Sequence, residues 1–403
     1  MTTFLQQAIQ QFAASGNRCE GSSANGEKPG DFPAGVVISL NPSGSIESDL
    51  AREGYTNARS FLTLPSFGSP RWLFPLGNGR CTLAGLEIYK PYATAARMFK
   101  GLLKAVAVAR CQGVARHRVL LASRGPLPLE DLVREVTGEC QPVFALSVGT
   151  EARYRKVTIQ VMRREGEILG YIKLPLTPAA VERVHHEADT LSRLWSFPAL
   201  RAHIPRVLYS GPWGDGAILF QSPGPPQPGP VNFNSHYEAF LRLLWGVQPA
   251  EKPGPLLREE VAARWHMAEP GVSSGWRALG EAALAKAKRE LEDVTIPCGV
   301  SHGDFAPWNA RVGDHGVYVF DWESASWDAP VLWDVFHFKT QVAASLGKNH
   351  DLDISRDRRS GERASFLLYL LSSACQLFGE RSPKLGLGLE YRLHLLAKHL
   401  GGY

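Results

Sequence analysis

The 403-residue chain has little that would tie it to a metal cluster, a nucleic acid or a membrane span. Its six cysteines, Cys19, Cys81, Cys111, Cys140, Cys298 and Cys375, lie far apart and form no C-x-x-C pair. Neither a zinc site nor a compact disulfide framework is indicated, and a reducing compartment fits. Charge of one sign is scarce: 44 Lys and Arg against 39 Asp and Glu leave a net +5. That balance excludes the large positive excess that phosphate neutralisation demands, so no nucleic-acid partner is expected. Met1 to Ser15 lacks the basic head and long apolar core of a secretory signal and reads as a short amphipathic helix on Phe4, Leu5, Ala8, Ile9 and Phe12. The longest apolar run, Ala364 to Leu377, contains Ser365, Ser372, Ser373 and Gln376 and is too short for a bilayer. No repeat period is found. A soluble, cytoplasmic protein without a transmembrane segment is expected.

What is present divides the chain. Residues 1–34, rich in Gly, Ser, Asn and Pro beyond residue 15, read as a mobile segment. Residues 35–138 mix strand runs at Val36 to Leu40, Phe61 to Leu64 and Trp72 to Leu76 with a helix at Ala93 to Ala109, and read as a small α/β accessory domain. Residues 139–221 give strand runs at Val143 to Val148, Val157 to Met162 and Ile168 to Leu174. A helix N-capped by Thr177 with Pro178 at its first position follows, then strands Arg206 to Ser210 and Ala217 to Gln221. Residues 222–230, SPGPPQPGP, are a linker that no helix or central strand accommodates. Residues 231–403 turn largely helical, with one β-rich interruption at Cys298 to Phe320.

That interruption carries the chemistry. Val300 to Asn309 reads VSHGDFAPWN and fits H-x-D-x-x-x-x-N. An aspartate on a turn after a strand can accept the proton of a hydroxyl, and an asparagine five residues on offers a neutral oxygen to a hard cation. After Gly313-Asp314-His315-Gly316, the strand Val317 to Phe320 delivers Asp321, a carboxylate able to hold magnesium against phosphates.

With HGDFAPWN followed by VYVFDWE, the stretch from Val143 to Leu400 resembles the aminoglycoside phosphotransferase and choline kinase family, small-molecule kinases with the protein-kinase fold. The resemblance implies an α+β, protein-kinase-like two-lobe fold, here preceded by the small α/β domain. It implies Asp304 as catalytic base, Asn309 and Asp321 as magnesium ligands, and His302 as support for the loop. Ala306 stands where many protein kinases carry lysine, which favours the small-molecule branch. In the N-terminal lobe it implies Lys173 (GYIKLP) on the α- and β-phosphates, paired with Glu187 of the next helix. Glu187 lies one turn from Val184 and Leu191, at the margin of the apolar stripe, whereas Glu182 has His185 and His186 as turn neighbours. Two departures stand out. The phosphate-covering loop VGTEARYRK has only Gly149, with Thr150, Arg153 or Arg155 left to compensate, and the hinge Phe220-Gln221-Ser222-Pro223 leaves Gln221 or Ser222 as the donor to a base.

The implied activity moves the γ-phosphoryl of ATP or GTP, with magnesium, onto a hydroxyl of a small-molecule or glycan-type acceptor. The alternative is a pseudokinase-like nucleotide-binding or scaffold protein without transfer. Near the site only Glu323, Asp328 and Asp334 could meet a polycation, so a sugar or other metabolite is as good a candidate as an antibiotic. Arg97, Lys100 and Lys104, spaced along one helix, suggest a docking face for an acidic substrate, partner or lipid headgroup, leaving a peripheral membrane contact open.

Overall fold

The computed structural model describes residues 7, 10, 36–42, 46–77, 79–108, 117–149, 152–268, 272–347, 360–380 and 385–401. The expectations for the segment 16–33 and for Thr150 fall outside these residues, as does the amphipathic reading of Met1 to Ser15 apart from the helical Gln7 and Gln10. Two compact units result: residues 1–189 with 205–223, and residues 190–204 with 224–403. The division at 223/224 falls inside the proline-rich stretch, where five prolines in nine residues rule out a continuing strand.

In chain order the first unit has β1 (Val36–Leu40), α1 (Ile46–Arg52), β2 (Asn57–Leu64), β3 (Trp72–Pro75), α2 (Gly79–Gly85), a 3-10 turn Leu86–Ile88 and α3 (Thr94–Val108). It continues with β4 (Arg118–Ser123), α4 (Pro128–Thr137), β5 (Val143–Val148), β6 (Lys156–Met162), β7 (Ile168–Pro175), α5 (Pro178–Trp195), β8 (Val207–Trp213) and β9 (Gly216–Gln221). The last turns of α5 count with the second unit. All nine strands join one sheet in the order β1-β4-β2-β3-β5-β6-β7-β9-β8. Here the expected separate domain at 35–138 is corrected. β3 pairs antiparallel with β5 through Trp72↔Ser147 and Leu73↔Leu146, and one apolar core takes Val36, Phe61 and Leu73 together with Phe144, Leu146 and Ile172. Without β3, strand β5 would present an open edge, and pairing removes that liability. The α5 entry is as its sequence predicts: Thr177 Oγ1 accepts from the Ala180 N–H at 3.2 Å.

The second unit has β10 (Gln227–Pro228), α6 (Ser235–Trp245), β11 (Ala250–Pro253), α7 (Gly254–Ala268), α8 (Ser274–Glu290), β12 (Thr295–Ser301), β13 (Ala310–Gly313) and β14 (Gly316–Val319). It ends with β15 (Ser326–Pro330), α9 (Trp333–Leu346), α10 (Ser360–Glu380) and α11 (Leu385–Leu400). Two small sheets, β10-β13-β14 and β11-β12-β15, sit beside the helices. Leu257, Trp265, Leu284, Phe336, Phe366 and Leu396 form part of a core shared by α7 to α11. Against that core β12 is fixed, and its C-terminal end starts the Asp304 loop.

Candidate active site

In the first unit Lys173 and Glu187 are ion-paired. Lys173 lies on β7 and Glu187 on the α5 face that also buries Val184 and Ala188. The ammonium sits 2.5 and 2.6 Å from the two carboxylate oxygens, with both side chains almost wholly out of solvent. A buried charge of either sign alone would be strongly disfavoured, so the pair stands or falls together. The hinge is narrower than expected. Ser222 N–H donates to Arg206 O at 2.9 Å, and Ser222 Oγ accepts from the Arg206 N–H at 3.0 Å, so Ser222 is committed to holding the edge of β8. Gln221 is left; its side chain is buried and its Oε1 has no hydrogen-bond partner. Gly149 also differs from its expected role. Its N–H donates to Lys156 O at 3.1 Å, and a Cβ there would lie 2.9 Å from the same oxygen. Glycine is needed for that close strand approach, and its amide is engaged by the Lys156 carbonyl.

In the second unit the loop after β12 is held from three sides. Asp334, in the first turn of α9, is buried and accepts from the main-chain N–H groups of His302 at 2.8 Å and Gly303 at 3.0 Å. It braces the loop, whereas by sequence it stood as a possible partner for a polycation. Gly303 has φ +78°, and a Cβ would meet Ser324 O at 2.1 Å, so no other residue fits this turn. His302 is fully buried; its Nδ1 accepts from the Asp304 N–H at 3.2 Å, which leaves Nε2 to donate to Phe320 O at 3.1 Å. One imidazole thereby ties the loop to the end of the Asp321 strand.

Asp304 has both carboxylate oxygens engaged. Asn309 Nδ2 donates to Oδ2 at 2.8 Å and to the Asp304 carbonyl at 2.9 Å. His337 Nε2 lies 2.9 Å from Oδ1, and Tyr369 OH lies 3.3 Å from His337 Nδ1. A carboxylate can only accept, so the His337 proton facing Asp304 sits on Nε2, and Nδ1 is left toward the Tyr369 hydroxyl. Asn309 turns its NH2 to Asp304, so its amide oxygen points the other way. Phe320 N–H donates to Asn309 O at 3.0 Å and brings Asp321 alongside, at a left-handed φ of 73° that side chains rarely adopt. Asn309 and Asp321, two residues whose oxygens are of the type magnesium takes, thus lie on chain segments tied together by this hydrogen bond.

The sequence motifs do not point to His337 or Tyr369. The spacing of Asp334 and His337 on α9 could have drawn attention to them, but their reach to the loop depends on how α9 and α10 pack. Cysteine chemistry has no place here. Burial pushes the Cys298 and Cys375 thiols up to about 11, so neither forms a thiolate readily. Beside the loop lies a cavity of about 110 Å³ whose walls include Ser301, Ser324, Ser326, His337, Tyr369 and Ser372. Its acidic groups are already held: Glu260 and Asp328 lie 2.9 and 2.8 Å from the buried Lys252, and Asp334 braces the loop.

No family model and no curated protein matches the sequence. Among solved structures, similarity is found to the GDP complex of a mutant aminoglycoside 2'-phosphotransferase-IIIa, with 15% identity, a TM-score of 0.44, and 67% of this chain and 96% of that chain covered. A thermostable mutant of aminoglycoside phosphotransferase APH(4)-Ia in a ternary complex with ADP and hygromycin B gives 16% identity, a TM-score of 0.44, and 68% and 98% coverage. Likenesses this shallow leave the chemistry to this chain's own residues.

Proposed function

We propose that this chain is a kinase-like phosphotransferase that moves the γ-phosphoryl group of ATP or GTP onto a hydroxyl of a small-molecule or glycan-type acceptor. The observation that carries the reading is the double anchoring of Asp304, by Asn309 on one oxygen and His337 on the other, beside the hard donors Asn309 and Asp321. Such a carboxylate is held in one orientation and accepts the acceptor's proton as its oxygen bonds to the γ-phosphorus and the bond to the bridging oxygen breaks. Magnesium suits the Asn309 and Asp321 oxygens and, when bound, would neutralise charge on the phosphates. Lys173, fixed by Glu187, is the candidate for the α- and β-phosphates, Gln221 for the base, and His302 for loop support.

The cavity beside His337 favours an uncharged, hydroxylated acceptor group. Its wall is rich in hydroxyls, while its carboxylates are paired internally, so a polycation would find no unclaimed counter-charge. The non-catalytic nucleotide-binding reading draws support from Gly149, whose amide is committed to Lys156. ATP consumption by the purified chain against sugars, polyols, amino alcohols and aminoglycosides separates the two. Asp304→Asn is expected to lower turnover by about two to four orders of magnitude with nucleotide affinity kept, and full turnover would refute the assigned base. Asp321→Ala should abolish magnesium-dependent nucleotide binding by calorimetry. Binding of Mg-ATP with no acceptor consumed would favour the non-catalytic reading.

A further inference from the structure

The first unit contains a helix that faces the wrong way for a core element. Seven large apolar side chains are well exposed among the described residues, and five of them, Met98, Phe99, Leu102, Val106 and Val108, lie on α3. Met98, Leu102 and Val106 repeat at four-residue spacing with Phe99 beside them, so they share one stripe along the helix. Met98 is 73% and Leu102 61% exposed, whereas Ala107 is the one fully buried side chain of α3. The cause lies on the inner side. Glu87, on the 3-10 turn, lies 3.4 Å from Lys100 and 2.9 Å from Lys104 and also binds Lys90. Those ion pairs draw Lys100 inward and tether Lys104 beside it, while Arg97 stays exposed. The apolar stripe is what faces outward.

We propose that α3 is an interfacial helix that seats its Met98, Phe99, Leu102 and Val106 stripe into the surface of an anionic lipid bilayer. Charge selects this occupant. Thr94–Val108 carries no acidic residue, and three lysines share the single Glu87 carboxylate, so with Arg97 the surroundings of the stripe are positive. An apolar stripe on a cationic helix is the pattern that lies in the headgroup layer of anionic membranes. A second copy of this chain would bring an equally cationic helix to the same face, and in a two-fold contact those charges oppose each other. Nothing here requires a span; no helix of the described residues is long and apolar enough to cross a membrane.

The test is co-sedimentation of the full chain with vesicles of phosphatidylcholine alone and of phosphatidylcholine with increasing phosphatidylglycerol. Binding is expected only with phosphatidylglycerol, weakening as salt rises, and it should disappear in Met98→Glu/Leu102→Glu. Arg97→Glu should weaken it by about fivefold or more. Both substituted stripe positions are solvent-exposed, so an unchanged melting temperature is expected and serves as the fold control. The lipid titration of the unsubstituted chain tests the idea without any variant. No binding at any phosphatidylglycerol content, or equal binding by the double variant, overturns the proposal. So does a concentration-dependent dimer in analytical ultracentrifugation that the double substitution abolishes, since the stripe would then close on a second copy.

Discussion

Two lysine–glutamate clusters in the first unit use the same chemistry to different ends. Lys173 and Glu187 form a pair with the carboxylate fully buried, whereas Glu87 is shared by Lys90, Lys100 and Lys104 at side-chain exposures of 12 to 46%. In the first cluster water can replace neither partner, so the pair is obligatory. In the second, water and salt compete, and the ion pairs decide which way α3 turns. Burial, more than the number of ion pairs, separates a group whose loss the fold cannot tolerate from one that only sets an orientation.

The comparison breaks most readily at Glu187. Glu187→Ala removes the carboxylate from a buried ammonium and should cost about 3–5 kcal/mol, whereas Glu87→Ala, in a partly solvated cluster, should cost less, about 1–3 kcal/mol. Urea denaturation of both variants measures the difference, and equal losses would show that burial is not what distinguishes the clusters. The next effect is catalytic. His337→Ala frees one oxygen of Asp304 and should lower kcat by about 10–100-fold with little change in nucleotide KM. His337→Gln, which keeps an N–H donor, should recover part of it; a rise in nucleotide KM without a kcat change would deny the positioning role.

Smaller effects appear as pH dependence of stability in the surface cluster. Burial alone would raise the Glu87 carboxyl, but hydrogen bonds and charge from Lys90, Lys104 and Lys100 hold it down at about 2 against an ordinary 4.5. Folding therefore gains from Glu87 ionisation fully above pH 4.5, and the gain is lost as pH falls toward 2. Glu87→Gln should flatten thermal stability across that window, and an unchanged slope would contradict the assignment. Lys100 gives the smallest effect. Burial lowers its ammonium to about 8 from 10.5, opposed by Glu87, so stability should rise slightly as pH increases from 8 to 10.5. Lys100→Met should remove the rise.

Much of the fold and of the site is legible in the residues themselves. The apolar periodicity around Val184, Ala188 and Leu191 places α5, and the same stripe picks Glu187 over Glu182. The H-x-D-x-x-x-x-N spacing puts Asp304 and Asn309 on one loop, where they are hydrogen-bonded. Other groups have partners that spacing does not reveal. Gly149 and Ser222 look available because neither the Lys156 carbonyl nor the Arg206 main chain is sequence-adjacent to them, yet each meets its partner across a strand pair. The accessory domain looks separate because its strands follow their own turn signals, and the short β3, by pairing with β5, merges it into the larger sheet.

What the sequence determined by itself was local: where strands and helices begin, which carboxylates stand on a turn, and where prolines forbid continuation. These follow from backbone sterics and side-chain period, which act over a few residues. Only the tertiary structure decided that His337 orients Asp304, that Asp334 braces the loop, and that α3 shows its apolar side to solvent. Each of those joins groups that are not chain neighbours: Asp304 and His337 are 33 residues apart, and Lys104 and Glu87 meet only because α3 folds back on the turn before it. Contacts of that kind depend on which faces pack, and one-dimensional spacing carries no record of it.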